Sequence, residues 1–232
     1  MKRRDFLGRA SVGAAVLGFP AIVRSQNAAP RVVAGVQAGD VTGGRAIIWS
    51  RASQPGEMEV EWATNDKFES SSIVGGAFAL KSTGLCAKAD IQRLPPGETI
   101  FYRVRFRDLS DARAVGEPVL GRFKTPPADG RDVSFIWGAD TVGQGYGINA
   151  AMGGLKMYDT MARTESDLFI HVGDTVYAEQ PVEKEMRAGD GTLFRNLTTE
   201  AKSKVAETLD EFRGQWEYNL LDENFRRFNG QT

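Results

Sequence analysis

Asp167-Leu168-Phe169-Ile170-His171-Val172-Gly173-Asp174-Thr175-Val176-Tyr177 decides how the second half of the chain is read. Leu168 to Val172 is a short, mostly apolar run closed by a glycine and an aspartate, the signature of a buried strand that ends in a turn. A matching run lies upstream: Asp132-Val133-Ser134-Phe135-Ile136-Trp137, ending in Gly138-Ala139-Asp140-Thr141. Between the two, Ala150 to Arg163 reads as a helix, with Leu155, Tyr158 and Met161 or Ala162 near one face. Strand, helix, strand is a βαβ unit, and its strands should run parallel. Both then end on one edge of the sheet, where α/β proteins place their sites. Asp140 and Asp174 stand at those two ends.

Two carboxylates brought to one edge repel each other, and a hard cation between them removes that cost, because carboxylate oxygens suit such ions. Tyr177, three residues after Asp174, could add a phenolate to the shell of a ferric ion. Gly173 permits an unusual dihedral beside the metal. The candidate metal ligands are therefore Asp140, Asp174 and Tyr177; the sequence identifies no catalytic acid, base or nucleophile. Gly143-Gln144-Gly145-Tyr146-Gly147 lacks the spacing of a dinucleotide fingerprint. His171, the one histidine, lies within a strand pattern, which favours a supporting role over direct ligation.

Upstream, from Arg31 to Thr125, the pattern is different. Met58-Glu59-Val60-Glu61-Trp62 alternates strictly, and so does Ile100-Phe101-Tyr102-Arg103-Val104-Arg105-Phe106-Arg107, with its arginines on the solvent side. Such alternation marks strands with one face to a core. Further strands are predicted at Arg45–Trp49, Val32–Val36, Ile73–Ala79, Cys86–Ile91 and Val119–Phe123. Turn signals separate them: Gly43-Gly44, Pro55-Gly56 and Pro95-Pro96-Gly97. About seven short strands at this spacing predict an immunoglobulin-like sandwich. Leu94-Pro95-Pro96-Gly97 ahead of Tyr102-Arg103-Val104 resembles the end of a fibronectin type III domain, with Ile100 where a tyrosine is common. Cys86 reads as a small buried side chain, and Thr125-Pro126-Pro127-Ala128-Asp129-Gly130 as a linker.

The chain begins Met1-Lys2-Arg3-Arg4-Asp5-Phe6-Leu7, followed by a mildly apolar stretch from Ala10 to Val23. This is the form of an export signal, and Arg3-Arg4 before Phe6-Leu7 resembles the twin-arginine type. Removal of residues 1–29 would leave a mildly acidic mature chain in the periplasm or outside the cell. Over all 232 residues, 29 Lys+Arg face 30 Asp+Glu, for a net charge of −1. That balance argues against a nucleic-acid partner held by bulk positive charge. No apolar run reaches the roughly 20 residues of a membrane span, and the lone Cys86 rules out an internal disulfide.

The twin-arginine start, the strand-rich segment, Phe135–Gly145 and Phe169–Glu179 together are similar to the PhoD-type alkaline phosphatase family. The resemblance continues through Glu200–Arg213 and Tyr218-Asn219-Leu220-Leu221-Asp222. It implies an exported metallophosphoesterase with phosphomonoesterase and phosphodiesterase activity, using Ca2+ and Fe3+ and a metal-activated water. It also implies twin-arginine export machinery and phosphate esters as partners. By the same resemblance Asp174 matches a metal-bridging aspartate, Tyr177 an iron-binding tyrosine, and Asp140 the ligand position at the end of the first strand. Glu179 and Val172 stand where the family often has aspartate and serine. The family's remaining ligands come from later motifs, including a Trp-Asp-Asp-His-Glu segment, whereas no histidine follows His171 here. The expected organisation is therefore a leader over 1–29, a fibronectin III-like β-sandwich over 30–127, and the first part of an α/β metallophosphoesterase domain over 131–232. This looks like a C-terminally truncated N-terminal half, with low or no activity and an unfinished sheet edge. Ala201, Val205, Leu209, Phe212 and Trp216 recur at helical spacing, predicting an amphipathic helix packed against the sheet. The rival expectation is an exported adhesion or carbohydrate-binding module, which would have no need of two Gly-adjacent aspartates after strands.

Overall fold

A computed structural model describes residues 29–232; the export-signal reading lies outside the described residues, save Ala29. Seven strands come first: β1 (Val32–Thr42), β2 (Arg45–Ala52), β3 (Gly56–Ala63), β4 (Ser72–Ala79), β5 (Cys86–Gln92), β6 (Thr99–Asp108) and β7 (Val119–Lys124). They form two antiparallel sheets, ordered β1-β2-β5 and β4-β3-β6-β7. The sheets close a β-sandwich of the fibronectin III-like kind, and every strand predicted by alternation is present. The alternating residues do what their period requires. Ala46, Ile48, Ala89 and Ile91 from one sheet meet Met58, Val60, Val104 and Phe106 from the other, all buried. Each large side chain buried there contributes roughly 1.5–3 kcal/mol.

The opposite face of β3 and β6 carries ion pairs rather than bare arginines. Register sets Glu59 against Arg105 and Glu61 against Arg103. Arg103 Nε donates to Glu61 at 2.7 Å, and Arg105 Nε and Arg107 donate to Glu59 at 2.6 Å. These bonds hold both carboxyls below the ordinary glutamate range, against the desolvation that opposes them. Cys86 is half-buried in β5, and loss of hydration raises its thiol pKa.

The second half contains the parallel pair β8 (Phe135–Gly138) and β9 (Leu168–His171), in register from Phe135↔Leu168 to Gly138↔His171. β8 is shorter than the apolar run suggested. The Asp167 carboxylate takes the Ser134 amide at 3.0 Å and the Arg131 guanidinium at 3.1 Å, so the chain enters the sheet only at Phe135. The crossover helix is also shorter than predicted. Ala150–Met152 is a single 3-10 turn and α1 spans Lys156–Ala162. Gly153 and Gly154 interrupt it in left-handed conformations, at φ 88° and 66°.

The predicted amphipathic helix is corrected in both extent and face. Ala201–Ser203 is one 3-10 turn; α2 covers Leu209–Asn219 and α3 Glu223–Asn229. Thr208 and Glu211 form a capping box that starts α2. Val205, Leu209, Phe212 and Trp216 are exposed, and the packed face is Gln215, Tyr218 and Asn219. Polar bonds decide this orientation. Gln215 Nε2 donates to the carbonyls of Ala201 and Lys204. Tyr218 OH accepts from the Ile148 amide and donates to the Leu197 carbonyl, and Asn219 Nδ2 donates to the Thr175 carbonyl. Turning the apolar stripe inward would leave these buried groups unpaired.

A second core joins the halves. Phe225 and Phe228 of α3, with Leu220, pack against Ala34 of the sandwich, Tyr158 of α1 and Phe169 of β9. The Tyr158 ring meets Phe225 edge-on at 4.6 Å. Phe135 and Trp137 of β8, Leu168 and Ile170 of β9, and Val172 just after it are exposed, so the two strands are not the buried ones that the apolar runs predicted. Among the described residues no helix is long and apolar enough to cross a membrane.

Candidate metal centre

The two parallel strands end together, as the βαβ reading requires. Asp140 N donates to the Gly173 carbonyl at 3.2 Å and Thr141 N to the Asp174 carbonyl at 3.0 Å, so the two post-strand turns are zipped to each other. Asp140 and Asp174 both take left-handed conformations, at φ 60° and 53°, a region that aspartate enters more readily than most residues. Gly173 reaches φ 127°, which a side chain rarely tolerates.

Tyr177 closes the group. Its hydroxyl donates to Asp140 Oδ1 and lies 3.3 Å from Asp174 Oδ2. All three sequence-identified residues are thus brought to one point at the sheet edge, open to solvent. The ring of Tyr177 lies over Gly143, where a Cβ would fall 2.9 Å from two ring carbons. Within the glycine loop, Gly143 alone makes this contact; a Cβ at Gly147 would instead meet Tyr218 OH, and one at Gly145 the Met186 sulfur. The Tyr177 carbonyl accepts from Lys202 Nζ at 2.8 Å; burial lowers that ammonium's pKa, opposed by the charge of Glu179.

The hydrogen bond to Asp140, then desolvation and the two carboxylate charges, push the Tyr177 phenol far above the ordinary tyrosine range. Without a cation the tyrosine is a neutral donor. A multivalent ion at the same point would reverse that sign and favour the phenolate. The donor chemistry fits a hard cation: two carboxylates and a phenol, all oxygen, converge, and among the described residues no basic side chain is bonded to the two carboxylates. Three oxygens are about half the shell such an ion takes. Among the described residues no three His, Cys, Asp or Glu side chains cluster for a metal; the third donor here is phenolic.

His171 is the last residue of β9 and does not reach this group. Its ring bonds Thr141 and Thr175 instead, at 3.1 Å each. Desolvation lowers its pKa, against the pull of Asp140 and Asp174. Sequence reasoning missed Thr141, Thr175, Tyr158 and Lys202. A signal for the threonines was present: Asp-Thr-Val occurs twice, at 140–142 and 174–176. Periodicity marked Tyr158 only as a helix-face residue and nothing local marked Lys202; their roles depend on contacts distant in the chain.

The family model described as PhoD-like phosphatase, N-terminal domain, matches residues 19–127, and that described as PhoD-like phosphatase matches residues 135–232. A search of curated proteins found no match. Among solved structures, "Structure of PhoD" superposes with a TM-score of 0.66 at 21% identity, over 89% of this chain and 39% of its own. That agreement is one of fold, and the chain spans well under half the length of that relative. The third fibronectin III domain of human KIAA0343 gives a TM-score of 0.33 at 14% identity, over 47% of this chain and 92% of its own. A fibronectin type III domain from human KIAA0970 gives 0.31 at 13%, over 44% and 80%. The two family models lie end to end, one on the β-sandwich and one on the segment that carries Asp140, Asp174 and Tyr177. On those matches the chain belongs to the PhoD-like phosphatase family.

Proposed function

We propose that this chain carries part of the metal centre of an exported phosphoric ester hydrolase, of the alkaline phosphatase and phosphodiesterase kind. The observation that carries the reading is the convergence of Asp140, Asp174 and Tyr177 at the ends of two parallel strands. These side chains would supply part of the shell of a hard cation pair, Fe3+ and Ca2+ being the combination the family resemblance favours. When bound, such ions polarise a phosphoryl group and activate water. This chain's own residues have the task of orienting oxygen donors. The Asp140 and Asp174 turns present their carboxylates together, Gly143 leaves room for the Tyr177 ring, and Lys202 fixes the backbone at Tyr177. The twin-arginine-like start supports export of the folded protein to the periplasm or beyond, and phosphate esters are the substrates.

Metal content and hydrolysis of a chromogenic phosphodiester, measured on the purified protein beside Asp174→Asn, test the proposal. Iron or calcium near stoichiometry in the parent and its loss in the variant are expected. A folded protein that takes up neither ion, or takes up both equally after Asp174→Asn, would overturn the assignment.

A further inference from the structure

His171 bonds at both ends of its ring. Nε2 lies 3.1 Å from Thr141 Oγ1 and Nδ1 lies 3.1 Å from Thr175 Oγ1. Each threonine directly follows one of the aspartates. Thr141 is 2% exposed and also bonds Tyr158 OH at 2.5 Å. Tyr158 in turn is packed against Phe225 and Phe228 in the core shared with the sandwich.

We propose that His171 is a positioning residue, a crossbar that ties the Asp140-Thr141 turn to the Asp174-Thr175 turn and sets the separation of the two carboxylates for a shared cation. The inference rests on the metal-centre reading of those aspartates. The hydrogen-bond directions follow from satisfying buried donors. Tyr158 OH donates to Thr141 Oγ1, which leaves the Thr141 hydroxyl to donate to Nε2. Nδ1–H then donates to Thr175. The reverse order would leave the buried Tyr158 hydroxyl proton without an acceptor among the described residues. The crossbar therefore works with a neutral ring protonated at Nδ1, anchored through Tyr158 to the core.

Two readouts test it on the full chain. The first is amide hydrogen exchange at Asp140 and Thr141, whose amides bridge the two turns. The second is Tb3+ affinity, read by luminescence sensitised through Tyr177. In His171→Phe, which keeps a ring and loses both bonds, exchange at these two amides should quicken about tenfold while Val60 and Val104 stay protected. Tb3+ affinity should fall about 10- to 100-fold, the usual loss when a group that orients metal ligands is removed. His171→Gln, which retains a donor and an acceptor, should recover part of both. Thr175→Val should cost less than His171→Phe, and should add nothing to it in the double variant. Unchanged exchange at Asp140 and Thr141 in His171→Phe overturns the crossbar whatever the metal does. Faster exchange with unchanged Tb3+ affinity overturns its role in setting the site. A parent that binds no Tb3+, or binds it equally after Asp174→Asn, overturns the metal-centre reading itself and this proposal with it.

Discussion

Tyr177 shows how much one glycine can decide. Its hydroxyl reaches both carboxylates with the ring so close to Gly143 that there is no space for a Cβ between them. Gly143→Ala is expected to push the ring off the carboxylates. Tyr177-sensitised Tb3+ luminescence should weaken, with affinity down about tenfold, while the unfolding midpoint scarcely moves. Equal luminescence in the two proteins would show that the ring position is not set by this contact. Asp140, Asp174 and Tyr177 were legible because their spacing from strand ends is a local property. The threonines were not, because a hydroxyl beside a ligand acquires meaning only once His171 is seen between two of them.

At the scale of elements, α2 begins where its cap places it rather than where the apolar spacing suggested. Thr208 Oγ1 accepts the Glu211 amide, and the Glu211 carboxylate accepts the amides of Glu207 and Thr208. Thr208→Ala should lower stability by about 1 kcal/mol in urea unfolding. Lys204, then the two amides, lowers the pKa of Glu211 from 4.5 to about 2. A carboxyl depressed in the folded state stabilises above its unfolded pKa. Its contribution should therefore be present above pH 4.5 and fall away towards pH 2, and Glu211→Gln should erase that part of the pH dependence. A stability difference between parent and variant that stays constant across that window would refute the assignment. The apolar stripe misled because periodicity reports which residues share a helix face and not which face turns inward. On α2, Gln215, Tyr218 and Asn219 turn inward because buried backbone groups of three other segments need their bonds.

In the whole molecule, the sandwich and the parallel pair are held together by α3. Phe228, 1% exposed, touches Tyr158 and Phe169, and the Gly230 carbonyl accepts the Arg122 amide of β7 at 2.7 Å. Phe228→Ala should cost about 3–5 kcal/mol and quicken amide exchange at Arg122, whereas a loss confined below 1 kcal/mol would show the two halves to be independent. Asp167 supplies a polar counterpart to this core. Arg131, then the Ser134 amide and Lys124, holds its carboxyl well below the ordinary aspartate value of 3.8. The ties around β8 and β9 should therefore loosen as pH falls below 3.8, visible as faster exchange at the Ser134 amide.

Alternation in β3 and β6, the two strand-closing aspartates and the tyrosine at +3 determined the sandwich, the parallel pair and the three candidate donors from sequence alone. Period and spacing are local, and the backbone converts them directly into faces and edges. Only the tertiary structure decided the break at Gly153-Gly154, the outward turn of the Leu209, Phe212 and Trp216 stripe, and the crossbar of Thr141, His171 and Thr175. The last two depend on which buried polar group finds a partner from a distant part of the chain, and satisfaction of that kind leaves no periodic trace in the sequence.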